Sequence, residues 1–319
     1  MTSEASLIAA LRAIATTPGA RSLADDAAVL QIGGQALVLT LDTIVESVHF
    51  LPDDPAEDVA WKLVAVNVSD LSAKGARPLG CLYSHALGDE AWDSAFLSGL
   101  AAACSRFAIP LLGGDTVRMP AGAPRSFSLT ALGTAPSGHP VPARSFARAG
   151  DDVWVSGTIG DAGAGLAVLR GRIDAEPGDA LYLAERYRRP DPEARLGMAL
   201  APLVHAMMDV SDGLLIDAQR LAQASGCALS LAVDAIPLSS ALLAVAGGGR
   251  DARLEAMAAG DDYELLFTAL PEHAHAIRAA ARECGRIVTP IGAVAPGEGL
   301  SLTFESKPLP LPGTLGYQH

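Results

Sequence analysis

Residues 58–76, DVAWKLVAVNVSDLSAKGA, form the segment from which the architecture of the protein can be predicted most directly. Its apolar side chains recur at the spacing of an α-helix until Gly75 and then Pro78 end it. Asn67 and Asp70 are three residues apart, so they share one face of that helix. The pattern therefore predicts an apolar helix that carries a carboxylate at the rim of a buried layer.

A β-strand is predicted ahead of this helix, and more strands after it. The run ALVLTLDT, residues 36–43, is apolar and β-prone and brings Asp42 to the end of a strand. In the second half, residues 152–169 predict a strand, a glycine-rich turn and a helix, and further strands are expected at 229–233 and 263–268. Strands and helices that alternate in this way indicate an α/β protein.

The sequence also predicts the secondary structure of two further segments. IPLLGGDT, residues 109–116, is predicted to be a short buried strand that turns sharply at its two glycines and holds Asp115 at the turn. A helix is predicted to begin at Ser211 or Asp212 and to end at Gly226.

Proline and glycine accumulate in residues 135–151, which indicates a domain boundary or an ordered crossover loop. We therefore expect a first domain of residues 1–137 and a second of residues 138–319.

The glycine-rich segment that follows this boundary has two interpretations. It resembles a phosphate-binding turn only loosely, because neither the G-x-x-x-x-G-K-[ST] nor the G-x-G-x-x-G pattern is present. The alternative is that its glycines allow close packing of helices. The glycines concerned are Gly157, Gly160, Gly163 and Gly165.

Composition excludes several classes of protein. The chain has 319 residues, a formal net charge of −13 and a pI near 4.9, which disfavours a nucleic-acid or anionic-membrane surface. Phosphates remain acceptable ligands if divalent cations lie between the two negative partners. The N-terminus lacks the pattern of a signal peptide, and no run approaches the roughly 18 apolar residues of a membrane span. The four cysteines are far apart in the sequence, so we expect reduced thiols and a cytoplasmic protein.

The placement of the aspartates is the most informative feature. Six of them sit beside apolar residues, often next to Gly, Ser or Thr: Asp26, Asp42, Asp70, Asp115, Asp209 and Asp212. Burying unpaired carboxylates is costly, and Mg²⁺ offsets that cost because it prefers oxygen ligands and keeps positions open for phosphates. These residues therefore predict a site that binds several Mg²⁺ ions and handles phosphate.

Ordinary explanations stay open for single members of the set. Asp209 and Asp212 suit the start of a helix, Asp115 suits a turn, and Asp26 suits the surface beside Asp25. Asp42 and Asp70 resist such explanations, since apolar runs precede both.

Basic residues near the boundary are candidate phosphate ligands. Arg144 suits a phosphate clamp because a guanidinium group pairs bidentately with phosphate oxygens, although Arg125 and Arg148 fit equally well on charge alone.

Read together, the segments resemble the thiamine-monophosphate kinase family, whose superfamily also contains aminoimidazole ribonucleotide synthetase and selenophosphate synthetase. The likeness runs in one order along nearly the whole chain, through DDAAVL, LTLDTIVESVHF, KLVAVNVSDLSAKGARP, LLGGDT, RSFARAGD, VSGTIGDAGAGL, MDVSDGL, AGDDYELLFT and GYQH. The resemblance implies a two-domain PurM-like α/β fold with a C-terminal α/β sandwich. It also implies a homodimer in which the N-terminal mixed sheets form a shared barrel.

The same resemblance implies an activity, phosphoryl transfer from ATP to thiamine monophosphate by direct in-line attack assisted by several Mg²⁺ ions. It implies catalytic roles for Asp42, Asp115 and Arg144. Metal contacts are implied for Asp26, Thr40, Asp42, Asp70, Asp115, Asp209 and Asp212, with the main chain of Leu41. ATP contacts are implied for Gly114, Asp115, Arg144 and Ser211, and substrate contacts for His49, Asp261 and Tyr317.

Four positions depart from the usual family pattern. Asp261 stands where glutamate is usual, Ala24 and Ser47 each replace a glycine, and Lys74 replaces a methionine. Lys74 either lowers the metal affinity of the site or points to solvent.

Two competing functions remain. One is an ATP-dependent synthetase of the same superfamily. A selenium-type synthetase is disfavoured, since the first cysteine is Cys81. The other is a non-catalytic scaffold that binds nucleotide or metal.

Overall fold

The computed structural model describes residues 4–317, so Gln318 and His319 of the terminal GYQH motif lie outside the described residues. The chain forms two mixed β-sheets with helices packed on them. The predicted two-domain α/β fold is therefore confirmed, whereas the boundary between residues 137 and 138 stays a prediction. No helix among the described residues is both long enough and apolar enough to cross a membrane.

The first sheet has five strands in the order β1-β2-β5-β3-β4, and only the β3–β4 pair is parallel. Its elements are α1 (Glu4–Arg12), β1 (Ala28–Ile32), β2 (Gln35–Val45), α2 (Ala56–Ala73), β3 (Arg77–Leu87), α3 (Glu90–Arg106), β4 (Leu111–Arg118) and β5 (Ser126–Ala135).

Helices α2 and α3 cover one face of this sheet, and Val38 and Ile44 of β2 belong to the core between them. Side chains on a strand alternate between the two faces, so Thr40 and Asp42 also point toward α2 while Leu41 points away.

Helix α2 is the central element of the molecule. One side packs on β2 and β5 of the first sheet and on α3, and another side packs on α6 and β7 of the second half. Most of its residues are buried, which explains why its sequence is apolar nearly all round.

The second sheet has seven strands in the order β12-β11-β8-β10-β6-β9-β7, and only β8 and β11 run parallel. Its strands are β6 (Asp152–Ser156), β7 (Ala206–Val210), β8 (Ala228–Ala232), β9 (Glu264–Ala269), β10 (Val288–Ala295), β11 (Gly299–Phe304) and β12 (Lys307–Leu309). Its helices are α4 (Asp161–Leu169), α5 (Pro177–Arg188), α6 (Ala194–Leu200), α7 (Leu214–Ser225), α8 (Ser240–Ala246), α9 (Arg250–Ala258) and α10 (Ala274–Glu283).

Helices lie on both faces of this second sheet, as a sandwich requires. Val153 and Val155 of β6 pack into the core that contains Leu221 of α7, and Trp154 between them packs with Ile277 of α10 on the opposite face. Of the glycines in the turn and helix after β6, Gly165 supports the packing interpretation. A Cβ atom there would lie 2.0 Å from the main-chain oxygen of Leu183 in α5.

The strand predicted within residues 109–116 is present, but its predicted burial and turn were wrong. Leu111–Arg118 form β4, an exposed edge strand that runs straight through both glycines. Gly114 is needed for close approach instead, since a Cβ atom there would lie 1.9 Å from the main-chain oxygen of Tyr83 on β3. Strand β3 itself was not predicted.

The helix predicted to begin at Ser211 or Asp212 begins later, at Leu214. The segment that carries Asp209 is strand β7, so Asp209 does not cap the helix. The C-terminal end at Gly226 is as predicted, because Gly226 adopts the left-handed conformation that ends a helix.

Candidate active site

A cavity of about 730 Å³ lies between the two halves of the molecule. The first half lines it with the end of β2, the loop around His49, and Val66 and Asp70 of α2. The second half contributes α4, the β7–α7 connection, the segment before β9 and the C-terminal Tyr317. A cavity of this size accommodates a ligand the size of a cofactor or nucleotide.

Three carboxylates meet beside this cavity. One oxygen atom from each of Asp26, Asp70 and Asp209 lies within 4.8 Å of the others. Asp26 precedes β1, Asp70 lies on α2 and Asp209 on β7, so both halves of the molecule contribute. Asp42 and Asp212 line the cavity as well.

Hydroxyl and amide groups hold these carboxylates in place. Thr40 Oγ1 donates a hydrogen bond to Asp70, and Ser69 Oγ donates one of 2.6 Å to Asp209 Oδ2. Asn67 Oδ1 accepts a hydrogen bond of 3.2 Å from the main-chain N–H of Asp42. Asp70 and Asp209 are therefore held by neighbours on β2 and α2, and no ion pair among the described residues offsets the repulsion between these two carboxylates.

Burial and repulsion among the aspartates raise their pKa values. Burial and the charge of Asp26 raise the pKa of Asp42 to about 6 and that of Asp209 to about 8. Burial and the charges of Asp42 and Asp209 hold the pKa of Asp70 well above its usual value. Clustered, buried oxygen donors of this kind suit a hard divalent cation such as Mg²⁺, since its charge stabilises the ionised carboxylates against both burial and mutual repulsion.

Asp26 is not the surface acid considered as an alternative. Only 1% of its side chain is exposed, and Arg144 and Lys74 pair with it. The neighbouring Asp25 pairs with Lys74 and Arg21. The interpretation that Lys74 points to solvent was therefore wrong, because its side chain is fully buried.

The connection between β7 and α7 is held by a carboxylate that the sequence did not single out. Asp217 Oδ2 accepts hydrogen bonds of 3.1 Å from the main-chain N–H groups of both Ser211 and Asp212. Arg220 pairs with Asp212 and Asp217, and the Asp212 carbonyl accepts a hydrogen bond of 2.9 Å from Tyr317 N. The C-terminal segment is thereby fixed at the cavity.

At another part of the cavity wall, Lys62 joins two of the expected substrate residues. Its Nζ donates to the carbonyl of His49 at 2.9 Å and to Asp261 Oδ2 at 3.0 Å. Tyr263 Oη donates to the other oxygen of Asp261 at 3.1 Å. Lys62 lies on the apolar helix α2, and a lysine at a buried helical position is the signal that would have marked it.

The structure brings most of the predicted site residues to this cavity. The lining includes Asp42, His49, Asp70, Asp209, Ser211, Asp212, Asp261 and Tyr317. Thr40 reaches this site through its hydrogen bond to Asp70, and Asp26 through its carboxylate, which lies close to those of Asp70 and Asp209.

Other candidates lie elsewhere. Gly114 and Asp115 lie on the exposed strand β4, outside the described lining of the cavity. The side chain of Leu41 faces away from it, and Arg125 pairs with Glu46. The individual roles of all the site residues stay predictions.

Comparison with known proteins identifies the family. The family described as AIR synthase related protein, N-terminal domain, matches residues 24–135, and its C-terminal domain matches residues 148–305. The thiamine-monophosphate kinase of Salmonella typhimurium is 39% identical over 302 residues, which cover 93% of this chain and 91% of that protein. The enzyme of the same name from Caulobacter vibrioides is 40% identical over 95% of this chain and 86% of its own length.

A solved structure described as AaThiL complexed with AMPPCP and TMP superposes with a TM-score of 0.84. It is 30% identical in sequence and aligns over 99% of this chain and 97% of its own. The similarity thus extends through both sheets and across the cavity between them. The chain belongs to the thiamine-monophosphate kinase family and is a kinase.

Proposed function

We propose that this kinase transfers the γ-phosphoryl group of ATP to thiamine monophosphate and so forms thiamine diphosphate. The observation that carries the proposal is the meeting of Asp26, Asp70 and Asp209 beside a cavity built by both halves. A related structure with AMPPCP and TMP supports the choice of substrates.

The chemistry needs little from the chain beyond binding and charge. A phosphate monoester is mostly ionised near neutral pH, so its oxygen attacks the γ-phosphorus in line without a strong general base. Bound Mg²⁺ would neutralise the phosphate charge. Its ligands would be oxygen atoms of Asp26, Thr40, Asp42, Asp70, Asp209 and Asp212. The protein contributes by orienting both substrates and by excluding water from the cavity.

Arg144 fits a supplementary role in this scheme. Its guanidinium pairs with Asp26, next to the acidic cluster, so a phosphate group entering the site would meet a positive charge already held there. On the substrate side, His49, Asp261 and Tyr317 line the cavity from three separate segments. Their spread suits a ligand that spans the gap between the two halves.

We also propose that the protein is a homodimer formed through the outward face of the first sheet. Leu41 and Leu82 flank Thr130 on that face, and Leu112 lies against Gly80 on the same side. The three leucines are 62%, 44% and 60% exposed in the isolated chain. A contiguous apolar face of this kind is typical of an interface.

The expected roles of Gly114 and Asp115 depend on this assembly. Both lie on β4, beside the same face, so their contacts with ATP and metal would arise next to a second protomer. We further propose that the first sheets of the two protomers form a shared barrel, that the domain boundary lies at residue 137 and that the protein is cytoplasmic. Free thiols at all four cysteines suit that location.

The deciding assay measures ADP release with ATP and Mg²⁺ in the presence and absence of thiamine monophosphate. Release only with thiamine monophosphate supports the kinase, and a scaffold would bind ATP without releasing ADP. A parallel reaction with formylglycinamidine ribonucleotide tests the synthetase alternative, which predicts ADP release with that compound instead.

Substitution of the aspartates tests the proposed roles. We expect Asp42→Asn and Asp115→Asn each to lower turnover by about 100-fold or more while the fold stays intact, because each removes a metal-binding charge. Asp251→Asn, at an exposed position on α9, is the control and should leave turnover unchanged. Substantial activity in either of the first two variants would contradict the role of that residue.

A further inference from the structure

Lys74 lies at the C-terminal end of α2 with its side chain fully buried. Its ammonium group contacts three oxygen atoms: Asp25 Oδ1, Asp26 Oδ2 at 2.7 Å and the carbonyl oxygen of Met207 at 3.1 Å. Two of these contacts are hydrogen bonds, to Asp25 and to Met207, and the contact with Asp26 is an ion pair. Direct contact with opposite charge is the condition under which a buried ammonium group is tolerated.

The three partners tie together the elements that build the acidic cluster. Asp25 is adjacent to Asp26, and Met207 lies two residues before Asp209 on β7. Lys74 itself follows Asp70 by four residues on α2. One ammonium group therefore connects the three chain segments whose carboxylates approach within 4.8 Å of one another.

The charges at the cluster are unevenly compensated. Asp25 pairs with Lys74 and Arg21, and Asp26 pairs with Lys74 and Arg144. Among the ion pairs of the described residues, none involves Asp42, Asp70 or Asp209. The cluster thus has one side neutralised by the chain and one side left to a bound cation.

We propose that Lys74 is a permanent cation of the metal site, which keeps the metal-free cluster assembled and weakens the binding of divalent cations through charge repulsion. The inference rests on the proposed use of the cluster as a metal site. Two opposite effects follow from one charge. Without metal, the ammonium offsets part of the repulsion among the carboxylates, and with metal, it competes for Asp26.

The test is a titration with Mn²⁺ alone, in which free Mn²⁺ is measured by electron paramagnetic resonance. We expect Lys74→Met to bind Mn²⁺ about tenfold more tightly than the unsubstituted protein, because a like charge next to the site is gone. Thermal unfolding in EDTA should show a lower Tm for the same variant, and Mn²⁺ should raise that Tm by more than it does in the unsubstituted protein. Unchanged or weaker Mn²⁺ binding by Lys74→Met would overturn the proposal.

Lys62→Met is the matched control. Lys62 is a second buried lysine on the same helix, but its ammonium contacts His49 and Asp261 instead of the cluster. We expect this variant to lose thermal stability while its Mn²⁺ affinity stays within about twofold of the unsubstituted protein. If Lys74→Met and Lys62→Met raise the affinity for Mn²⁺ equally, then the loss of any buried positive charge raises it, and the proposal fails.

Two further variants keep the test decisive if Lys74→Met does not fold. Lys74→Gln keeps a hydrogen-bond donor without the charge and should also bind Mn²⁺ more tightly, whereas Lys74→Arg keeps the charge and should not. If arginine and glutamine tighten binding alike, charge is not the cause. None of these measurements uses turnover, so they stand apart from the ADP assay, whose failure with thiamine monophosphate would contradict the proposed function alone.

Discussion

At the scale of single residues, a buried carboxylate stays ionised only if a neighbour offsets the cost of burial. Burial raises the pKa of Asp25, but Lys74 and Arg21 more than offset this and leave the pKa below its usual value. Asp42 and Asp209 have no such cations in direct contact, so burial and nearby aspartates raise the pKa of each. Aspartates close to one another in the fold thus differ in pKa because of their partners.

These pKa values predict how stability depends on pH in the absence of metal. The pKa of Asp209 is about 8 in the folded protein against 3.8 in the reference state, so between those values the folded protein holds a proton that the unfolded chain has lost. Stability therefore falls as pH rises through that window. Asp42 and Asp217, with pKa values of about 6, contribute in the same direction at lower pH.

We expect Tm in EDTA to decrease between about pH 5 and pH 8, and Mg²⁺ to remove most of that decrease because it stabilises the ionised carboxylates. Thermal unfolding across this range, with and without Mg²⁺, is the measurement. A Tm in EDTA that stays constant or rises over the range would contradict the assignment.

Asp209→Asn separates stability from activity. Removing one of several repelling charges should raise Tm in EDTA by a few degrees at pH 8, while turnover falls by about 100-fold or more because a metal ligand is lost. Ser69 Oγ still has an oxygen to which it donates. A variant that is destabilised without metal would show that repulsion does not dominate at this position.

At the scale of elements, α2 organises the cavity through one stripe of side chains. Lys62, Val66, Asp70 and Lys74 follow one another at intervals of four residues, so they lie along the same side of the helix. Lys62 fixes the His49 and Asp261 segments, Val66 lines the cavity, and Asp70 and Lys74 reach the acidic cluster.

The position of Lys62 on this stripe predicts a selective effect on substrate binding. Lys62→Met should raise KM for thiamine monophosphate by about tenfold and change KM for ATP much less, because Lys62 holds Asp261 and His49. Steady-state kinetics with each substrate varied in turn measures this. Equal effects on both KM values would point to a general loss of structure instead.

Close packing between α4 and α5 predicts a loss of stability. Gly165→Ala should destabilise the protein by about 1–3 kcal/mol, because its Cβ meets main-chain atoms that cannot move aside. Gly178→Ala in α5, where no atom lies within 4 Å of the added Cβ, is the control and should be neutral or stabilising. Denaturant unfolding compares the two, and equal stability would contradict the packing explanation.

At the scale of the whole molecule, the exposed face of the first sheet predicts the oligomeric state. Leu112→Glu should convert a dimer into monomers, because it introduces a charge into the apolar face. Ile287→Glu is the matched control, since Ile287 is 73% exposed in the second half, away from that face. Light scattering after size-exclusion chromatography reports the masses, and an unsubstituted protein that is monomeric at micromolar concentration would rule out the proposed dimer.

Sequence predicted the parts of this molecule that have a local cause. The strand that carries Asp42 and the helix around Asp70 follow from short-range apolar patterns, although the strand continues past Asp42 to Val45. The edge position of β4 and the pairing of Lys74 do not, since they depend on contacts between distant segments. Lys74 meets Met207 across 133 positions of the chain, and Lys62 meets Asp261 across 199. Periodicity within one segment contains no information about such partners.

The central position of α2 has a consequence for the growing polypeptide. The first sheet is complete once Ala135 has been synthesised, but α2 packs on α6 and β7, which are made later. A nascent chain that ends before β7 leaves an apolar side of α2 in water and the ammonium group of Lys74 without its carbonyl partner. The first sheet and its helices therefore reach their native state only after translation has passed Asp209, so a fragment that ends near the boundary should need chaperones or aggregate.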